Sequence, residues 1–200
     1  MKHIVYFSSS AVTSGKALSG KDANLMKAGR MDIAIHIVIA SLFLSHEARE
    51  DVKLHLVFYG MPDPPKHIEI SIKEGLDISK KDIAGLIKRA LYKYSEGKKT
   101  EVFPGVFIEK KSFLKVVEEL QDEGKDVFIL DKKGKDIRDI KLSKEKDCVF
   151  VLGDQDGLPE KETKRLIKSQ GVEKVSVGPK MYFASQTAVI LNNELDRRGV

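Results

Sequence analysis

The sequence predicts an α/β fold built on a mixed, mostly parallel sheet flanked by helices. In the second half, short strands alternate with amphipathic helices. Val127–Leu130 and Cys148–Leu152 are apolar throughout, as strands covered on both faces are. In the first half, Leu54, Leu56 and Phe58 alternate with their neighbours, and so do Ile68, Ile70 and Ile72. A proline-rich turn separates the two runs, which marks an antiparallel pair and makes the sheet mixed.

Each element has its own signal. His3–Phe7 is a short apolar strand, and Ser8–Gly29, rich in Ser, Gly, Ala and Lys, is a long loop. Asp32–Leu44 is a buried helix. Its apolar run, Ile33–Leu44, is broken by His36 and is too short to span a bilayer. Ser45–Asp51 is a polar exit, and Gly60–Pro65 is a rigid turn because its three prolines fix φ and withhold donors. Ser79, with Asp82 three residues on, resembles an N-cap. Ile83, Leu86, Ile87, Ala90, Leu91 and Tyr94 then form one helical face, with Lys81, Lys88, Arg89 and Lys93 largely off it and Gly97 as the stop. Glu101–Ile108 is extended and interrupted by Pro104 and Gly105. Ser112–Gln121 is a helix closed by Gly124. Pro159–Ser169 is a helix with Pro at its first position and Gly171 at its end. Val175–Val177 is a strand, and Ser185–Arg198 is a terminal helix capped by Ser185 and stopped by Gly199.

Two hundred residues suit a single domain over 1–200. One cysteine, Cys148, excludes an intramolecular disulfide framework and a multi-cysteine zinc site. It points to a reducing, cytoplasmic setting, and Met1-Lys2-His3 opens no apolar signal segment. The net charge is +5 and uneven. Residues 1–115 carry 19 basic and 13 acidic groups, residues 116–200 carry 16 and 17. The excess in the first part suits a polyanionic partner such as nucleic acid. Solubility with Lys and Glu enrichment reads the same numbers more plainly.

Walker A, G-x-G-x-x-G, G-x-S-x-G and H-E-x-x-H motifs are all absent from the sequence. The five histidines do not pair at metal-ligand spacing within one element. What remains is a set of strand ends. Leu130-Asp131, Gly153 and Val177-Gly178-Pro179 each close an apolar strand, and ligands of open α/β sheets bind outside such ends. The plainer reading makes Gly153, Gly157 and Gly178 turn residues. Asp154 and Asp156 suit either a divalent cation or solvent. Asp32 after Arg30 is either a helix cap or, with the guanidinium, a site for phosphate or a carboxylate. His46, Arg49 and the acids around them form either a site edge or a solvated helix end. The lysines of residues 80–99, near Tyr92 and Tyr94, form either a solvated face or a base-stacking surface.

Taken in order, GRMD (29–32), FLSHEAREDV (43–52), LVFYGMPDPP (56–65), FPGVFIEK (103–110), EGKDVFILDKKGKDI (123–137), VFVLGDQDGL (149–158), VSVGP (175–179) and AVILNNELDRR (188–198) resemble one family. It is the archaeal tRNA (pseudouridine-54 N1)-methyltransferases, the TrmY group of the SPOUT superfamily. The resemblance implies a SPOUT-type fold with a C-terminal trefoil knot. Residues 1–115 would face RNA and residues 116–200 would form the knotted, cofactor-binding part. S-adenosylmethionine would sit against Leu130, Gly153, Val177, Gly178, Pro179, Lys180, Met181, Tyr182 and Thr187, largely through backbone. The implied reaction methylates N1 of a pseudouridine in the tRNA T-loop, with Asp32 as base or orienting acceptor and Arg30 as its partner. Arg49, Lys88 and Arg89 would contact RNA. The protein would be a homodimer joined through the knot helices, with neither metal nor membrane. The chain departs from the family's usual residues at Phe183, Thr187, His36 and Glu109. A ribosomal pseudouridine as target, or RNA binding without turnover, are the competing readings.

Overall fold

The computed structural model describes residues 1–19, 24–76, 78–143, 145–170 and 172–200. Eight strands form one sheet: β1 (Lys2–Ser8), β2 (Val52–Phe58), β3 (Lys66–Ser71), β4 (Thr100–Phe103), β5 (Val106–Glu109), β6 (Asp126–Asp136), β7 (Cys148–Gly153) and β8 (Glu173–Ser176). Their spatial order is β4-β5-β3-β2-β1-β7-β6-β8. The β1–β2, β1–β7, β6–β7 and β6–β8 pairs are parallel, whereas β2–β3, β3–β5 and β4–β5 are antiparallel. The mixed, mostly parallel α/β sheet expected from the sequence is therefore what the chain forms.

β1 lies at the centre, and all seven of its residues are buried. Ile4 and Tyr6 join one core cluster while Val5 and Phe7 join the other, as side chains alternating across a strand must. The first face is covered by α1 (Met31–Leu42), α2 (Ile83–Lys93) and α5 (Ala184–Arg198), through residues such as Ile37, Leu86 and Leu191. The second is covered by α3 (Phe113–Asp122) and α4 (Glu160–Gln170), through Phe113, Val117 and Leu166. Each fully buried large aliphatic or aromatic side chain contributes about 2 kcal/mol of transfer free energy. Lys2 is buried as well, and its ammonium is paired with Asp51 at 2.7 Å and Asp196 at 2.9 Å.

Helix ends differ in detail from the sequence expectation. Asp32 does not cap α1, because it stands inside the first turn and Arg30 occupies the cap position in a left-handed conformation. Ser185 does not cap α5. Phe183 takes that position, and its N–H donates to Gln186 Oε1 at 3.0 Å. Ser79 caps a short 3₁₀ turn, Lys80–Asp82, that leads into α2. Ser112 caps α3, accepting from Lys115 N. Glu101–Ile108 is a hairpin of β4 and β5 around Pro104-Gly105, and the long loop after β1 holds a 3₁₀ turn at Gly15–Leu18. The expected stop at Gly171 and residues 20–23 of the loop lie outside the described residues.

β6 runs past its expected end. Val175 stands opposite both Leu130 and Lys135, so residues 131–134 bulge from the ladder. At Gly134 a Cβ would lie 2.4 Å from Val175 N, and only glycine lets the two backbones approach this closely. Farther on, Arg198 of α5 donates to the carbonyls of Ile140 at 3.0 Å and Ile137 at 2.6 Å. The C-terminal helix is thereby fastened to the segment that follows β6.

Candidate functional site

Three parallel strands, β6, β7 and β8, end side by side, and a cleft of about 920 Å³ opens beyond them. Leu130 and Asp131 come from β6, Leu152 and Gly153 from β7, and Ser176, Val177 and Gly178 follow β8. Lys180, Met181, Tyr182 and Thr187 complete one wall. Of the nine positions expected to hold a cofactor, eight border this cleft, and Pro179 does not. Arg30 and Asp32 border it too, delivered by the first turn of α1.

Two successive residues here are left-handed. Gly29 has a φ of 68°, and a Cβ there would lie 1.7 Å from Ser10 O, so the loop after β1 presses directly on this residue. Arg30 then adopts a φ of 60°, the sole positive φ at a non-glycine residue among those described. Its Nε and Nη2 donate to the two Asp32 oxygens at 3.1 and 3.0 Å. These bonds hold the Asp32 carboxyl below the usual carboxylate range. Asp32 is thus ionised, oriented and partly exposed at the cleft.

Sequence reasoning missed several lining groups. Ile33 and His36 of α1 line the cleft as well, and His36 lies one turn on from Asp32, a proximity legible in their i, i+4 spacing. The sequence leaves Asp154 either a cation ligand or a solvated loop acid. It instead accepts from Ser8 Oγ at 2.9 Å, Ser9 N at 2.8 Å and Ser9 Oγ at 3.1 Å, joining the ends of β1 and β7. Asp156 accepts from Ser9 Oγ at 3.1 Å. Among the described residues no three His, Cys, Asp or Glu side chains gather as a metal site would require. Burial, with Asp154 next in weight, pushes the Tyr6 hydroxyl up, so it stays neutral. On the far wall Lys174 pairs with Asp131 at 2.6 Å.

The candidate RNA residues stand elsewhere. Arg49 is largely covered and donates to Asp196 at 2.9 and 2.5 Å. On α2, Arg89 pairs with Asp82 at 2.6 Å and lies over the Phe103 ring, and Lys88 is half-buried. None of the three borders the cleft. No helix among the described residues is long and apolar enough to cross a membrane.

A sheet of parallel strands whose carboxyl ends open onto one cleft defines an α/β protein of the kind that binds nucleotide-like ligands at that edge. The comparisons make the class specific. A family model described as "Putative SAM-dependent RNA methyltransferase" matches residues 1–200, and the chain belongs to that family. A tRNA (pseudouridine(54)-N(1))-methyltransferase of Methanococcoides burtonii is 35% identical over 188 residues, 91% of this chain and 92% of its own. One of the same name from Methanocella arvoryzae is 39% identical over 176 residues, 86% and 87% of the two chains. Among solved structures, Archaeoglobus fulgidus Nep1 bound to S-adenosylhomocysteine superposes with a TM-score of 0.66 at 14% identity, covering 100% of this chain and 99% of that one, a likeness of fold.

The residues present fit S-adenosylmethionine. The volume suits a nucleoside-sized ligand. Leu130, Leu152 and Val177 give apolar walls, and the strand-end amides and carbonyls give hydrogen-bond partners for the edge of a base.

Proposed function

We propose that the protein methylates N1 of the pseudouridine at position 54 in the T-loop of tRNA, using S-adenosylmethionine. The observation that carries this reading is the Arg30–Asp32 pair at the mouth of a cofactor-sized cleft, in a chain whose relatives bear that activity as their name. The cofactor supplies an activated methyl on a sulfonium. It would be held by Leu130, Gly153, Val177, Gly178, Lys180, Met181, Tyr182 and Thr187, with Pro179 shaping the loop from outside the lining.

The chain's own groups align the base and handle one proton. Asp32 accepts the N1–H of the pseudouridine, and Arg30 fixes the carboxylate's direction. A carboxylate held below its usual range is a weak base, so it does not strip N1 in the resting complex. Its place is to orient N1–H and to take the proton as N1 becomes acidic during alkylation.

The same reading includes the trefoil knot, the dimer and the RNA surface. The approach of Gly134 to Val175 and the hold of Arg198 on Ile137 and Ile140 support a knotted passage of the C-terminal helix. Met181, Phe183 and Val189 are exposed apolar groups beside the cleft and on α5, and suit burial against a second copy. In that arrangement Ala188, Leu191 and Leu195 serve the core, where they are fully buried. The basic first part, with Lys88, Arg89 and the covered Arg49, would carry tRNA in the cytoplasm.

The test is methyl transfer to two tRNAs that differ only in uridine or pseudouridine at position 54, with the product mapped by mass spectrometry. Methyl on N1 of the pseudouridine tRNA alone is the expected result. Transfer to neither, or to a ribosomal pseudouridine instead, would overturn the assignment.

A further inference from the structure

Away from the cleft, three histidines cross the sheet in a row. His3 Nδ1 lies 3.0 Å from His55 Nε2, His55 Nδ1 lies 3.0 Å from His67 Nε2, and His67 Nδ1 lies 3.0 Å from Glu109 Oε1. Ring centroids are 5.3 and 5.2 Å apart with planes inclined by 17° and 9°, so the rings meet edge to edge. All three side chains are about 3% exposed. At the far end His3 Nε2 faces Asp147 Oδ2 at 3.6 Å, too long for a hydrogen bond. His3 and Asp147 stand at the amino ends of β1 and β7, opposite the cleft, so the reaction does not use this row.

Counting protons fixes the arrangement. Four links join Asp147, His3, His55, His67 and Glu109. Three neutral imidazoles own three N–H groups, and ionised carboxylates own none. One link must therefore lack its proton. The three short links and one long one locate the gap between His3 and Asp147. Each ring then carries its proton on Nδ1, donating toward Glu109.

We propose that His3, His55 and His67 act as one unit, a polarised row whose three N–H groups all point at Glu109, with one binding place for a further proton between His3 Nε2 and Asp147. The charge at Glu109 sets the tautomer of His3, three links away across strands β5, β3, β2 and β1. A proton taken up from solvent at His3 Nε2 closes the fourth link and brings Asp147 into the row.

The surroundings agree with a neutral resting row. Lys53 and Lys125 face His3, Lys53 and Lys99 face His55, and Lys111, Glu69 and Glu109 face His67. Glu69 pairs with Lys53 at 3.2 Å and Lys99 at 3.1 Å. From α3, Glu119 takes Lys111, and Glu123 beyond it takes Lys125. Asp147 is shared with the amino terminus at 2.7 Å. Burial holds all three imidazoles below their ordinary range, His3 at about 4. The further proton is taken up in acid.

The experiment is ¹⁵N imidazole NMR of the full chain, which distinguishes a protonated from a bare ring nitrogen. At neutral pH the wild type is expected to show Nδ1–H and bare Nε2 at all three residues. Any Nε2–H tautomer among them would overturn the proposal. In Glu109→Gln the side-chain oxygen can stay with Lys111 while the amide donates to His67 Nδ1. All four links then close with three neutral rings, provided every tautomer reverses. The expected result is Nε2–H at His67, His55 and His3 together. Reversal confined to His67, or no reversal, would show separate histidines. Asp147→Asn offers a donor to His3 Nε2, so wild-type tautomers should persist while proton uptake at His3 is lost. Unchanged uptake would likewise contradict the proposal.

Discussion

Arg30 grips Asp32 through two parallel N–H···O bonds, 3.1 and 3.0 Å long, while its own backbone sits at a φ of 60°. A left-handed backbone is disfavoured at arginine, and an exposed ion pair returns little stability in water. The pair is therefore not explained by stability. What the pair does in the fold is aim a carboxylate at the cleft.

Arg30→Gly separates the two roles. Glycine accepts the left-handed backbone, so the variant should unfold within about 1 kcal/mol of the wild type. Methyl transfer should fall by about 100-fold, because Asp32 loses the group that aims it. Urea unfolding and initial rates measure the two effects. Full activity in the glycine variant would remove Arg30 from the site.

Gly134→Ala tests the close passage of β6 and β8. A methyl group would meet Val175 N at 2.4 Å, a backbone atom that cannot turn aside. A loss of about 2 kcal/mol is expected from this overpacking. Weaker cofactor binding should accompany it, because Leu130 and Val177 flank the same passage. Isothermal titration with S-adenosylhomocysteine and urea unfolding read both effects, and an alanine variant with unchanged values would contradict the account.

The buried histidines predict acid lability above the carboxylate range. Their native values lie below the unfolded value of about 6.5, with His3 at about 4. Above about pH 6.5 both states are neutral there and the contribution is flat. Below it the unfolded chain binds protons that the native chain refuses, so stability falls with pH, by about 1.4 kcal/mol per unit for each such imidazole. The share of His3 levels off near pH 4. Unfolding free energies at pH 7.5, 6 and 5 should decline along that window. A flat profile would contradict the neutral assignment.

Much of the fold was legible because its signals are local. The apolar runs of β6 and β7, the alternation of β2 and β3 and the single face of α2 each lie within a dozen residues. The strand ends at Leu130, Gly153 and Val177 marked the cleft for the same reason. What the sequence hid was long-range or geometric. The left-handed backbone at Arg30 follows a Gly29 packed against Ser10, a contact nineteen residues apart, whereas local pattern points to a cap at Asp32. The doubling of Leu130 and Lys135 against Val175 depends on a strand forty residues away. The histidine row joins residues 3, 55, 67 and 109, one from each of four strands, and no spacing within one element could announce it.

The most direct measurement is Asp32→Asn, assayed for S-adenosylhomocysteine binding and for methyl transfer to tRNA carrying pseudouridine at position 54. The amide keeps the shape but loses the charge proposed to orient N1–H and take its proton. Unchanged cofactor affinity with a rate lower by about 100- to 10,000-fold is the predicted result. Wild-type turnover in the asparagine variant would contradict the assignment of the cleft's chemistry to this carboxylate.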